Sequence, residues 1–241
     1  RPLSRGLGDV YKRQIDHSAS QGGTSGVYNV TVTATDGVNA PTSQTFDWTV
    51  TNPAPIAADD TGSVDEDATL TVDAANGVLN GTGTDVDPDG DTLTVTAIRT
   101  GEETGSGTSG TVSTPLTGTY GTLTLNPDGS YAYVADQPLA DTLAAGETAV
   151  ETFTYTVSDG EGGFDTAELN ITVTGTNDAP ICAAGQATTL EDTAYVYTLA
   201  DFNFSDVDNS NTLSIVRIES LPLDGTLLLN GVAVTSCLLY T

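Results

Sequence analysis

Apolar and polar residues alternate one by one through residues 27–35 (Val-Tyr-Asn-Val-Thr-Val-Thr-Ala-Thr) until Asp36-Gly37 breaks the pattern. Residues 44–51 alternate again, with Phe46, Trp48 and Val50 on one face. A period of two sends successive side chains to opposite faces of an extended chain, so this stretch predicts a strand, a turn and a strand. On that phase Trp48 is a core residue rather than a platform for a sugar. Asn52-Pro-Ala-Pro55 stops the pair, because proline has no N–H to give to a ladder.

A second unit follows. Ser63-Val-Asp-Glu-Asp67 leads into Leu70-Thr-Val72, and residues 92–98 alternate strictly. Residues 101–110 form a polar Gly/Ser/Thr loop. Residues 121–134 hold the clearest hairpin: Thr-Leu-Thr-Leu, then Asn126-Pro-Asp-Gly129, then Ser-Tyr-Ala-Tyr-Val. Proline second and glycine fourth suit a type I turn, with Tyr131 and Tyr133 on one strand face. Residues 151–158 and 167–173 supply closing strands, and Gly175-Thr-Asn-Asp-Ala-Pro180 ends the unit. Phe202 and Phe204 alternate ahead of Asp206 and predict strand core. Only residues 139–143 offer a helical period of apolar residues, so the pattern predicts an all-β chain of sandwich modules.

The pattern also recurs. Asp36-Gly37 matches Asp159-Gly160, Ala54-Pro55 matches Ala179-Pro180, Glu66-Asp67 matches Glu191-Asp192, and Asp85-Val-Asp87 matches Asp206-Val-Asp208. Gly121-Thr-Leu-Thr-Leu-Asn126 returns as Gly225-Thr-Leu-Leu-Leu-Asn230. The expected organisation is the end of one module at 15–53, a complete module at 54–178 and the start of a third at 179–235. Residues 1–14 hold four of the six basic residues, and with residues 236–241 they are expected to be non-native flanks of an internal fragment, the chain having no Met.

Charge changes the picture. The formal net charge is −27, and all the acids except Asp9 lie between residues 15 and 235, where the basic residues are Arg99 and Arg217. Such a surface repels nucleic acid, and no polybasic patch meets an anionic membrane. No stretch is apolar enough to insert into a bilayer. Cys182 and Cys237 make no disulfide framework.

Within this acidity one run is ordered. Asp85-Val-Asp-Pro-Asp-Gly-Asp91 places carboxylates at Asp85, Asp87, Asp89 and Asp91, every second position. In extended chain those side chains face one way about 6.5 to 7 Å apart, so a bend at Pro88 or Gly90 brings them to one point. Ca2+ takes six to eight oxygens from such flexible acidic loops. The run is not an EF-hand, since Thr96 stands at the twelfth position and a strand follows.

Five motifs together resemble the cadherin-like tandem repeats, including the VCBS type, of large secreted bacterial adhesins of the RTX kind. They are Thr176-Asn-Asp-Ala-Pro180, Glu191-Asp-Thr193, Asp89-Gly-Asp-Thr-Leu-Thr-Val95, Asn126-Pro-Asp-Gly-Ser-Tyr131 and Phe153-Thr-Tyr-Thr-Val-Ser-Asp-Gly160. Residues 27–51 are more similar to the end of an immunoglobulin-like bacterial module. The resemblance implies immunoglobulin/cadherin-like sandwiches with Ca2+ at the junctions, outside the cell or on its surface. For the junction after Pro180 it implies Asp159, Asn177, Asp178, Glu191, Asp192, Asp206 and Asp208 as ligands. For the junction after Pro55 it implies Asp36, Asn52, Glu66, Asp67, Asp85 and Asp87, with Asn52-Pro53 standing where Asn177-Asp178 stands later. Asp59, Asp60 or Asp89 are the residues that would replace the missing carboxylate.

An enzyme is not expected. His17 is the single histidine, so Ser-His and Cys-His nucleophilic chemistry lacks a base. No aromatic cluster surrounds the carboxylates to raise one pKa or to stack a sugar. The expected partners are neighbouring repeats of the same chain. The rival readings are a module that binds a cell-surface glycan or protein through loops such as residues 101–110, and a spacer in a secreted hydrolase.

Overall fold

The structure is a computed structural model and describes residues 27–35, 37–208, 212–235 and 239–240. Strands β1 (Val27–Ala34) and β2 (Thr42–Thr49) form the first predicted hairpin, with Tyr28 opposite Trp48 and Val30 opposite Phe46. Its apolar face is not a core: Phe46 and Trp48 are both exposed. The strand phase is as expected, but among the described residues no second sheet faces the hairpin, and burial needs that second layer.

The sandwich lies in residues 60–174. Its first sheet joins β3 (Asp60–Asp65), β5 (Thr94–Thr100), β6 (Ser109–Gly110), β10 (Thr148–Ser158) and β11 (Phe164–Thr174) in the order β3-β11-β10-β5-β6. The second joins β4 (Thr69–Val72), β7 (Leu116–Thr117), β8 (Thr122–Leu125) and β9 (Tyr131–Val134) in the order β4-β9-β8-β7. Alternation decides which residues face the other sheet. Val95, Phe153, Tyr155, Leu169 and Ile171 from the first meet Leu123, Leu125, Tyr131 and Tyr133 from the second, all at most 5% exposed. Tyr133 and Phe153 touch edge to face, ring centres 6.2 Å apart, the geometry that aromatic quadrupoles favour.

The hairpin at residues 121–134 is as predicted. Leu125 pairs Tyr131 across the turn, Gly129 sits at φ 83°, and its N–H donates to Asn126 O at 3.0 Å. Residues 139–143 are turns rather than a helix, and they bury Ala140 and Leu143 against the sandwich.

One connection sets the positions of the acids. β3 runs parallel to β11, from Asp60 opposite Leu169 to Asp65 opposite Thr174. Six extended residues travel about 20 Å, so β3 crosses the module. Two ends are thereby defined: a leading end, where residues 52–58 meet the turn 159–163, and a trailing end, where Glu66 meets Thr174.

Beyond the sandwich the elements are short. They are β12 (Ile181–Cys182) paired with β13 (Phe204–Ser205), β14 (Val216–Arg217) with β17 (Leu239–Tyr240), and β15 (Leu228–Leu229) with β16 (Val232–Ala233). Phe204 lies on a strand as expected. Phe202 closes a short 3-10 helix (Leu199–Phe202) instead and stacks on Tyr197.

Candidate metal centre

At the trailing end, Glu66, Asp178 and Asp208 each offer an oxygen within 4.8 Å of the others. Glu66 is buried at the foot of β3, where its N–H donates to Thr174 O at 2.9 Å. Its Oε1 accepts from the Thr176 N–H at 2.5 Å and from the Thr176 hydroxyl at 3.0 Å. Its Oε2 is buried and has no hydrogen-bond partner. Asp208 Oδ2 accepts from the Asp178 N–H at 3.1 Å, and Asp206 Oδ1 from the Asp208 N–H at 3.1 Å. Burial raises the Glu66 pKa, a rise that Thr176's two donors oppose and the charges of Asp178 and Asp208 reinforce. Asp178 is raised too, by desolvation and then by Asp208, Asp67, Asp141 and Asp206. Acids of three separate stretches of chain are thus gathered at one point.

Two ligands of one Ca2+, at roughly 2.4 Å each, lie at most about 4.8 Å apart. The trailing cluster meets that limit with three carboxylates from separate stretches of chain, and the hard oxygen donors suit Ca2+. Glu66, Asp178 and Asp208 would hold it, and the ion would supply the positive charge that their mutual repulsion lacks.

A second cluster lies in the acidic run. Asp87, Asp89 and Asp91 also bring oxygens within 4.8 Å. Asp87 Oδ1 accepts from the N–H groups of Asp89, Gly90 and Asp91 at 3.0, 3.0 and 3.2 Å, which folds the run back on itself. Asp89, hydrogen-bonded to the Asp87 side chain, desolvated and crowded by Asp91, has its pKa pushed up to about 6.

The predicted sets are regrouped by the path of β3. Glu66 and Asp67, expected after Pro55, stand at the trailing end instead, because six extended residues carry them there. Asp159, expected after Pro180, stands at the leading end, because the β10–β11 turn lies there. Its Oδ2 accepts from the Asn52 side chain at 2.7 Å, and its Oδ1 from Glu161 and Gly163 N–H at 2.8 and 2.9 Å. Glu191 and Asp192 are exposed and join neither cluster. The same local fold recurs there: Asp192 sits at φ 60° and Asp67 at φ 59°. Asn177, in the linker, donates its side chain to Asp178 O at 2.7 Å. Asp36 lies outside the described residues.

Asp85 leaves the acidic run for the interior. Its Oδ1 accepts from Ala58 N–H at 2.8 Å, and the Tyr155 hydroxyl reaches it at 3.4 Å and Asp60 Oδ2 at 3.1 Å. Desolvation, opposed by the Ala58 N–H and assisted by Asp60, pushes the Asp85 pKa up to about 6. Of the residues meant to replace a carboxylate, Asp60 is in this interior network, and Asp59 accepts from Glu168 N–H at 2.9 Å. Tyr155 and Thr176, which organise these acids, stand in two of the motifs that carry the resemblance, but the sequence assigned them no role. The repeat of Glu66 at Glu191 did, once the strand between is counted for length.

A sandwich with carboxylates gathered where the chain leaves it defines a repeat-type β module with acidic ends. The chain belongs to the bacterial cadherin-like domain family, whose profile matches residues 52–175. Over 65 residues it is 42% identical to RapA2 of Rhizobium johnstonii, a calcium-binding lectin. That match covers 27% of this chain and 26% of the lectin, so the chain spans about a quarter of that relative's length. A nucleoside hydrolase-related protein of Saccharophagus degradans associated with carbohydrate metabolism gives TM-score 0.31 at 13% identity, over 52% of this chain and 26% of its own. An endo-fucoidan hydrolase of glycoside hydrolase family 107 gives 0.23 at 19%, over 60% and 22%. Likeness at that level says nothing of function.

Proposed function

We propose that this chain is part of a bacterial surface or secreted adhesin in which Ca2+ ties successive modules into a stiff array. In this reading residues 15–53 and 179–235 belong to neighbouring modules, and the role is binding rather than catalysis. The convergence of Glu66, Asp178 and Asp208 carries it: Glu66, which has a buried oxygen without a hydrogen-bond partner, lies within ligand reach of two more carboxylates, one in the linker and one beyond it. An acidic surface alone would spread its charge. The calcium-binding relative and the family support the same ion.

The test is a melting scan of the whole chain in chelator and in millimolar Ca2+. The expected result is a higher melting temperature with Ca2+ that Asp208→Asn largely removes. Equal melting in both buffers sinks the reading.

A glycan is the second partner to try, because the matched relative is a lectin and the loop at 101–110 is ordered by Arg99, which donates to the carbonyls of Glu102 and Glu103, both at 2.7 Å. A glycan array on the Ca2+-loaded chain tests it, with Arg99→Ala expected to abolish any hit. A hit that survives that change places recognition elsewhere.

A further inference from the structure

We infer that Thr176 is the positioning residue of the trailing-end cation site, holding one oxygen of Glu66 so that the other is delivered to Asp178 and Asp208. The inference rests on the reading of that cluster as a cation site. Glu66 is 3% exposed, and its two oxygens are treated unequally. Oε1 takes both donors of a single residue, the Thr176 N–H and hydroxyl, while Oε2 is buried with none. A carboxylate held through one oxygen by two donors keeps little freedom to turn, so the remaining oxygen has a fixed direction.

The placement of Thr176 gives this a second effect. It stands between the last residue of β11 and Asp178, and the chain just before it is fastened, with Gly175 N–H on Glu147 O and Gly146 N–H on Gly175 O, both at 2.8 Å. The residue that orients Glu66 therefore also fixes where the linker starts. Glu66, Thr176 and Asp178 form a half-site built by the sandwich and its exit alone, and Asp208 is the ligand from beyond the linker. Asp208 already stands against this half-site, its Oδ2 accepting from the Asp178 N–H at 3.1 Å. Thr suits the place because its β-branch restricts χ1 and holds the hydroxyl in one direction. Val has that shape without the donor, and Ser has the donor without the branch.

Calorimetric titration of the whole chain with Ca2+ tests this, using wild type, Asp208→Asn, Thr176→Val and Thr176→Ser, with melting scans of each in chelator. Asp208→Asn identifies the binding step that belongs to this site and separates it from any at Asp87, Asp89 and Asp91. Thr176→Val should weaken that step roughly tenfold, the usual effect of losing one hydrogen bond to a charged group. Thr176→Ser should recover most of the loss, and Thr176→Val should also melt lower in chelator, because the hydrogen bond it removes from buried Glu66 is present without the ion. Wild-type affinity in Thr176→Val overturns the role of Thr176 while leaving the site standing. Binding in Thr176→Ser as weak as in Thr176→Val also overturns it, since the residue would then act through its shape rather than its hydroxyl. If Asp208→Asn removes no binding step, the cation site itself is refuted.

Discussion

Asp60 and Asp85 share the hydroxyl of Tyr155 inside the sandwich, and a single phenol proton cannot serve two carboxylates fully. Both acids are raised, chiefly by desolvation, Asp85 to about 6. A folded-state pKa above the unfolded value means the native state binds the extra proton. That contribution is complete below about pH 4 and is lost as pH rises through about 6. Asp85→Asn, which keeps the shape without the charge, should therefore remove a fall in stability between about pH 4 and 6.5, on the order of 2 kcal/mol, in urea melts run in chelator. A wild-type profile that is flat there, or identical to the variant's, contradicts the assignment. Glu151 shows the opposite solution to burial. It accepts from Thr119, Tyr120 and Gly121 N–H and from the Tyr133 hydroxyl, the last at 2.6 Å. Glu151→Gln turns an NH2 toward those donors and should cost about 2–4 kcal/mol, against about 0.5 or less for the exposed Glu147→Gln.

Among the elements, β3 has the largest consequence, since its length decides which acids meet. The sequence shows Glu66-Asp67 recurring as Glu191-Asp192, yet the resemblance implied the junction after Pro55 for Glu66 and Asp67, whereas β3 carries them to the opposite end of the sandwich. The β8–β9 hairpin depends on a different kind of local rule. Gly129 is at φ 83°, and a Cβ there would lie 2.9 Å from Leu79 Cγ. Gly129→Ala should cost at least about 1 kcal/mol from the left-handed backbone alone. Denaturant midpoints for this variant against Gly105→Ala, at a glycine whose φ is not positive, give the comparison. Gly77 is tighter still, because its Cβ would stand 2.1 Å from Gly129 O, the acceptor of Val78 N–H.

Over the whole molecule, the net charge of −27 opposes compaction wherever acids meet across a joint. The trailing end of the sandwich gathers such acids, whereas at the leading end the Asn52 amide donates to Asp159, a hydrogen bond that needs no ion. Ca2+ should therefore narrow the range of end-to-end distances in small-angle scattering of the wild-type chain and leave that of Asp208→Asn nearly unchanged. At a concentration one hundred times the dissociation constant the stabilisation should approach about 2.7 kcal/mol. A scattering profile indifferent to Ca2+ would show that the joint is set by something else.

Alternation by itself determined that the chain is all-β, which faces of residues 121–134 and 151–173 turn inward, and that acids recur at fixed intervals. These are local properties, written in side-chain period and in turn residues such as Asn126-Pro-Asp-Gly129. Alternation gave the phase of Trp48 but not its burial, because burial needs a second sheet and among the described residues none faces that hairpin. Only the tertiary structure decided that Glu66 meets Asp178 and Asp208, that Asp159 bonds Asn52, and that Asp85 turns inward to Tyr155. Each of those meetings depends on how far a strand travels and which strand lies beside it, distances that spacing along the chain does not encode.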